Sequence, residues 1–475
     1  MNTEKVEVVK VVESKQEKFW KISDAIWSYA ELGLEEYKSS KLLADTLEEA
    51  GFKVDRGVAG MPTAFVASWS HGIGKPVIGF LAEYDALPGL SQKPGATTQD
   101  PVVPGAPGHG CGHNTMGAMQ ALTVISLQKI IMEKGLNCTL KYFGSPAEEM
   151  IISRPYMVRA GLFKNVDAVI DCHSAGSFKV FYGPFGAGLY SLIVTFRGKA
   201  AHSGVNPWMG RSATDAVELM HAATERMREH TPVTQRSHWV TLEGGEAPNV
   251  VPERASTWYF IRDIDDNLEN RLSWVMDCAK GAALMTQTAY EVKVLAAAHQ
   301  QHSNKALAEL IFENIKVIGK PEYTEEEEAF ARAIQKNIGV SVKGLDYPLE
   351  LVDAEVAYYG VSSDVGDVTL VAPCATINFP TLVSDKLHHW SVVASGNSSI
   401  AHKGITAGAK VACCTVYDLL TKSDRLVRIR NEFEELAKKH PYKIFLPDDA
   451  KPPLGWNTSL MSKYRGEMEQ FYINT

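Results

Sequence analysis

Metal-binding and proton-carrying side chains recur at four places in the first part of this chain. Asp85 ends VIGFLAEYD, Cys111 and His113 stand in GHGCGHN, Glu148 and Glu149 close SPAEE, and His173 closes DAVIDCH. Thiolate, imidazole and carboxylate together form the ligand set of zinc and manganese. Taken singly, each group has an ordinary reading. Asp-Ala-Leu-Pro makes a capped turn, Glu-Glu makes a solvated helix start favoured by the helix dipole, and a histidine behind an apolar run makes a hydrogen-bonded core residue. Their shared placement carries the weight. Each follows a short β-branched run or lies in a loop ahead of a helix. In open α/β sheets, ligands bind beyond the carboxyl ends of the strands, so these residues are expected to converge on one crevice. Buried there without an ion, several of them would keep unpaired polar atoms.

The elements that must position them follow from apolar spacing. Trp20, Ile22, Ile26, Tyr29 and Leu32, then Leu42, Leu43, Leu47 and Ala50, recur at helical intervals. Residues 77–85, 139–149, 167–174 and 370–380 read as strands. MGAMQALTVISLQKIIMEK reads as a helix that Asn114 or Thr115 can cap and Gly135 ends. The alternation predicts an α/β domain with a largely parallel sheet. From residue 187 the order becomes strand-helix-strand-strand-helix-strand, a split-βαβ unit. Past residue 303 helices resume, with Thr324 and Glu327 forming a capping box and a long helical stretch over 404–440. The expected organisation is a discontinuous α/β catalytic domain, 1–186 with 303–475, interrupted by an α+β, ferredoxin-like domain over 187–302. The Pro-rich tail YKIFLPDDAKPPLGWNT is expected to run extended over the surface, and the Gly- and Pro-rich residues 91–110 are expected to shape the pocket, to hold a partner or to form a plain surface loop.

The 475 residues carry 48 Lys and Arg against 56 Asp and Glu, a net charge of -8. No basic block of the kind that binds nucleic acid is present, and no apolar run is long enough to span a bilayer. The charged start MNTEKVEVVK lacks an apolar core and does not read as a signal peptide. Seven scattered cysteines argue against a disulfide framework and for a reducing, cytoplasmic setting.

AEYDALPG, GHGCGHN, SPAEE, DAVIDCHS, GKAAHSGVNPWMGRSATDA and GGEAPNVVPERA occur here in the order seen in the aminoacylase-type dinuclear metallopeptidases, and the chain resembles that family over most of its length. The resemblance implies two divalent ions per chain, Mn2+ or Zn2+, and hydrolysis of the amide bond of an N-acyl amino acid. The substrate first expected is p-aminobenzoyl-glutamate. Alternatives are another acyl or indole-acetyl conjugate, or a non-catalytic partner subunit. Residue by residue, it implies Cys111, His113, Glu149 and His173 as metal ligands and Glu148 as general base, with the family's aspartate turn kept at Asp85. A late histidine completes the ligands, and His388 is favoured over His389. His202 is expected to reach the active site of a neighbouring subunit. Asn249 and Arg262 match positions that grip the substrate carboxylate. The implied assembly is a homodimer or a heterodimer with a related subunit. The chain departs from the common Cys-Gly-His-Asp-Gly-His by reading Cys111-Gly112-His113-Asn114-Thr115-Met116, with Met116 expected in the core.

Overall fold

The computed structural model describes residues 3–356 and 360–474. Among them, strands β1 (Lys53–Arg56), β2 (Phe65–His71), β3 (Val77–Ala82), β4 (Cys138–Gly144), β5 (Ala168–Ala175), β6 (Lys179–Phe185), β7 (Gly188–Arg197), β8 (Arg236–Glu243), β9 (Arg254–Asp263), β10 (Ala289–Ala298), β11 (Gln301–Ser303), β12 (Glu350–Asp353) and β13 (Cys374–Pro380) form two sheets. The larger runs β1-β2-β4-β3-β5-β13-β6-β11, with β12 also on β6. Its centre is parallel: β3 pairs with β4 and β5, and β13 with β5. The flanking pairs are antiparallel except β12 on β6, so the sheet is mixed. Every residue of β3 is buried, the pattern of a parallel strand covered on both faces.

One face is covered by helices Thr3–Glu13, Gln16–Tyr29, His113–Lys134, Lys305–Ile318 and Ser399–Thr421, which share a core with Ile78, Phe80, Ile170 and Ile377. On the other face, Leu81, Phe143 and Val169 share a core with Leu189, Leu192 and Ala297 of the small sheet. That sheet, ordered β10-β7-β9-β8, is antiparallel throughout and backed by helices Ala213–Met227 and Asp265–Thr286. The split-βαβ order read from the sequence is the order found.

Three local expectations change. The first long helix starts at His113, and its cap is Gly112 in the left-handed region, not Asn114 or Thr115. Asn114 instead donates to Ser23 Oγ and Gly396 O, and Thr115 to Gly112 O. Both side chains are fully buried: Asn114 is drawn to tertiary partners, while Thr115 bonds the carbonyl of its own helix cap and also meets Ser174 Oγ at 2.6 Å. The stretch 404–440 is two helices, Ser399–Thr421 and Ser423–Lys439, which meet at Lys422 (φ -128°, ψ 86°). The first is buried over most of its length, while the second buries only Ile429, so the chain turns where it leaves the core. The tail is not simply extended but bends through successive turns, Ala450 N on Pro447 O and Trp456 N on Pro453 O among them, and it is anchored: Leu446 is buried, Arg159 donates to Pro447 O and Ala450 O, and Trp456 packs edge-on against Trp258 of β9. It ends in a helix, Thr458–Met468, whose Met468 packs with Val103 and Ala106 of the 91–110 loop. Gly135 and the Thr324–Glu327 capping box are as read, Met116 is fully buried, and all seven cysteines are unpaired.

Candidate metal centre

The site lies where β3, β4 and β5 end. Beyond Ala82 the chain runs extended through Glu83, Tyr84 and Asp85. Side chains alternate across extended backbone, and Tyr84 donates to Thr63 O while Glu83 and Asp85 both meet the ring of His113. Gly112 separates the two expected ligands of the next segment at φ 78°. A Cβ there would stand 2.5 Å from Ser174 Oγ. Only glycine allows both this backbone and this close approach, which brings Cys111 Sγ to 3.5 Å from His173 Nε2.

The Glu148–Met150 turn is bracketed by two non-glycine residues in the left-handed region, Ala147 (φ 55°) and Ile151 (φ 57°). Two buried carboxylates hold it. Ala147 N donates to Glu36 Oε1 at 2.8 Å, and Glu149 N donates to Asp85 Oδ2 at 3.0 Å. From the far end of the chain, His388 arrives with φ 55°, its N–H on Gly110 O and its Nε2 3.3 Å from Glu149 Oε2. His389 turns the other way and caps helix Trp390–Gly396 by accepting from Ser391 N. Of the two histidines, His388 is the one that joins the cluster geometrically. Its side chain is 56% exposed and marks the mouth of the site.

Three sets of potential ligand atoms each lie within 4.8 Å of one another: Cys111, His113 and His173; Cys111, Glu149 and His388; Glu83, His113 and Glu148. The hydrogen bonds around them fix which atoms face inward. His173 Nδ1 donates to Ser174 O at 2.7 Å, leaving Nε2 with its lone pair toward Cys111. His113 Nδ1 meets Asp85 Oδ1 at 2.9 Å, leaving Nε2 3.2 Å from Glu83 Oε2. Such second partners set the tautomer of a ligating histidine. Glu83 Oε2, His113 Nε2 and Glu149 Oε1 are buried without a hydrogen-bond partner. Ligand atoms left unpartnered and gathered this closely suit a cation among them.

The electrostatics agree. Burial pushes the Cys111 thiol up to about 12, with Glu149 adding to it, and pushes Glu149 up to about 8. Burial alone would lower His113, but Glu83, Cys111 and Asp85 overcome it and hold its pKa well above the ordinary value. The cluster thus favours positive charge at its centre. The donor set, one thiolate with imidazoles and carboxylates, therefore fits divalent metal ions.

The remaining predicted residues lie outside this cluster. His202 stands in an exposed turn of the small domain, where its Nδ1 accepts from Gly204 N. Asn249 lies beside it, since Ser203 N donates to Asn249 O and His202 bridges to Val250. Arg262, near the end of β9, donates to Gly360 O at 3.1 Å, and its charge helps to lower the pKa of His388, after burial and His113. Asp263 is taken by Arg271 and Thr234. His109, His402 and Lys403 hold structural bonds to Ile26 O, Asp24 and Glu327. Glu83, Glu36, Arg154 and Asp364 escaped the sequence reading. For Glu83 a signal existed: its two-residue spacing from Asp85 puts both on one side of an extended run.

Residues 187–280 match the family model of the peptidase dimerisation domain. The B subunit of the p-aminobenzoyl-glutamate hydrolase of Escherichia coli is 35% identical over 472 residues, covering 93% of this chain and 97% of that protein. The human Xaa-Arg dipeptidase is 26% identical, covering 90% and 92%. Among solved structures, a dinuclear metal-binding M20 peptidase of Bacillus subtilis superposes with a TM-score of 0.57 at 15% identity, covering 86% of this chain and 99% of that one. An aminobenzoyl-glutamate utilization protein of Klebsiella pneumoniae does so with 0.57 at 18% identity, covering 83% and 97%. The chain belongs to the M20 family of peptidases and amidohydrolases. It is a metal-dependent hydrolase with a ligand cluster of the kind that holds two divalent ions, acting on substrates of the N-acyl amino-acid kind. Among the described residues, no helix is long and apolar enough to cross a membrane.

Proposed function

We propose that the chain cleaves p-aminobenzoyl-glutamate to p-aminobenzoate and glutamate, with Glu148 as the proton carrier. The observation that carries the proposal is the cluster of orphaned ligand atoms around His113, with Glu148 Oε2 4.0 Å from that ring's Nε2. The likeness to the Escherichia coli hydrolase over nearly the whole length supports the substrate. Cys111, His113, Glu149, His173 and His388 would hold the ions, with Asp85 orienting His113. What the ions supply when bound is Lewis acidity toward the carbonyl and a lowered pKa for water.

The rest falls to the chain's own side chains. Glu148 accepts the proton of the attacking water and delivers it to the leaving amine. The C–O bond forms first, giving a tetrahedral oxyanion whose collapse breaks the C–N bond, and a free acid and a free amino acid result. A carboxylate suits this when burial lifts its pKa toward the working pH, and burial, then Glu83, lifts that of Glu148. Arg262 can clamp the substrate carboxylate through two parallel hydrogen bonds. Asn249 and His202 lie outside this chain's own cluster of ligand atoms, which favours their service to a neighbouring subunit. There His202 would donate to the developing oxyanion. The domain over 187–302 would then serve as the dimer-forming lid.

The test is metal content and glutamate release on the purified protein, stripped and reloaded with manganese or zinc. Two ions per chain with glutamate release are expected. Ions without release, on this and other acyl amino acids, would overturn the substrate assignment.

A further inference from the structure

Arg154 is the largest fully buried side chain among the described residues. It lies on the short helix Ser153–Arg159, directly after the Glu148–Met150 turn. Taking a guanidinium out of water is costly, and an apolar side chain of similar volume would avoid that cost. Its contacts show what the charge achieves. Nη2 donates to Glu83 Oε1 at 2.6 Å, and Nη1 pairs with Asp364 Oδ1. Asp364 is held in turn, its Oδ2 accepting from Ser153 Oγ and Arg154 N at 3.0 Å each. Glu83, Arg154, Ser153 and Asp364 are all buried. With Oε1 committed to the guanidinium, the carboxylate of Glu83 can rotate little, and its Oε2 stays 3.2 Å from His113 Nε2 without a hydrogen bond.

Asp364 also ends a segment that gathers contacts from the small domain. Gly360 O accepts from Arg262 Nη1 at 3.1 Å, and Val361 O accepts from Ala187 N at 2.8 Å, on the linker into β7. Three residues beyond Asp364, Asp367 Oδ2 accepts from His299 N at 2.9 Å, on the linker out of β10. The 360–367 segment thus meets both linkers of the small sheet and the substrate-side arginine. Through Asp364 it meets the guanidinium behind the metal centre.

We propose that Arg154 is a positioning residue that presents Glu83 to the metal centre and joins that centre, through Asp364, to the segment bearing both linkers of the small domain. The inference rests on the metal-centre reading above. Glu83 thereby becomes a further carboxylate facing the ions. Arg154 acts through it and touches neither ions nor substrate. A rigid guanidinium can hold two carboxylates at a fixed separation, one on each Nη, whereas a lysine ammonium is a point charge without that fork.

The experiment is manganese binding by calorimetry to chelator-stripped wild type, Arg154→Met, Arg154→Lys, Asp364→Asn, Glu83→Gln and the double variant Glu83→Gln/Arg154→Met. The melting temperature of each metal-free protein is recorded alongside. Losing a partner that orients a ligand costs roughly 10–100-fold in metal affinity, and that loss is expected for Arg154→Met. Arg154→Lys should recover only part of it. Asp364→Asn, which keeps volume and touches no ligand, should weaken manganese in the same direction by a smaller factor. It also carries the test should Arg154→Met fail to fold. The double variant should bind no more weakly than Glu83→Gln alone. Folded Arg154→Met or Asp364→Asn with wild-type manganese affinity, even at a lowered melting temperature, would reduce Arg154 to a structural role and overturn the proposal. So would losses that simply add in the double variant. Wild type that takes up neither manganese nor zinc would instead overturn the metal-centre reading itself, and the inference with it.

Discussion

Asp85 and His113 are joined by a 2.9 Å hydrogen bond, and the other oxygen of the same carboxylate takes the backbone N–H of Glu149 at 3.0 Å. One side chain therefore orients an imidazole and anchors the turn that carries both glutamates. Asparagine offers only one acceptor oxygen and would face a donor with its amide nitrogen. Asp85→Asn should fold and bind manganese or zinc about 10-fold more weakly or worse. Calorimetry on the stripped protein reads this directly. Unchanged affinity would remove Asp85 from the site.

Glu148 lies at the cluster but is assigned to proton transfer. Glu148→Gln preserves size and removes the base. Turnover should fall by on the order of 10²–10⁴, while metal content by elemental analysis stays at the wild-type level. Loss of metal in this variant would make Glu148 a ligand instead.

Gly112→Ala forces a Cβ to within 2.5 Å of Ser174 Oγ at a backbone φ of 78°. The expected cost is about 1–3 kcal/mol, read as a lower melting temperature. Metal uptake should fall with it, because Cys111 and His113 flank the strained residue. A variant with native stability and full metal would show that the turn tolerates a side chain.

If His202 serves a neighbouring subunit and Arg262 its own, His202→Ala and Arg262→Ala should each be slow alone and recover when mixed. Random exchange in a symmetric dimer places one intact site in each mixed dimer, for roughly a quarter of wild-type activity. Subunit exchange and then a turnover assay measure it. No recovery would argue against a shared site.

Asp265 and His299 pair at 2.9 Å beside the linker that leaves the small sheet. Burial alone would raise Asp265, but the hydrogen bond from His299 and the His302 ring nitrogen 3.7 Å away hold it at about 2. Burial alone would lower His299, but the bond to Asp265 and the charge of Asp367 carry it above its ordinary value. The contribution of Asp265 is complete above its unfolded pKa of about 3.9 and is lost as pH falls toward the folded value. The contribution of His299 is complete below about 6.5 and is lost as pH rises through its folded value. The melting-temperature gap between wild type and His299→Asn should therefore be wider at pH 6 than at pH 9, by about 2 °C. A gap that widens with rising pH would contradict the pairing.

Local patterns alone determined much of this molecule. The buried parallel strands read as continuous apolar runs, the small domain read as strand-helix-strand-strand-helix-strand, and the ligand-bearing segments read as loops at the ends of strands. These rest on periodicity and on the chemistry of neighbouring residues, which a chain carries without folding. The tertiary structure alone decided the rest. His388 and His389 are adjacent and chemically identical, and only the left-handed backbone of His388 turns one toward Glu149 while the other caps a helix. Asn114 looks like a helix cap, yet it is drawn to Ser23 and Gly396, far away in sequence. Arg154 escaped the sequence reading, because its partners Glu83 and Asp364 lie 71 and 210 residues away. A buried charge is placed by what surrounds it in space, and no local spacing records a partner brought close only when the sheet closes over it.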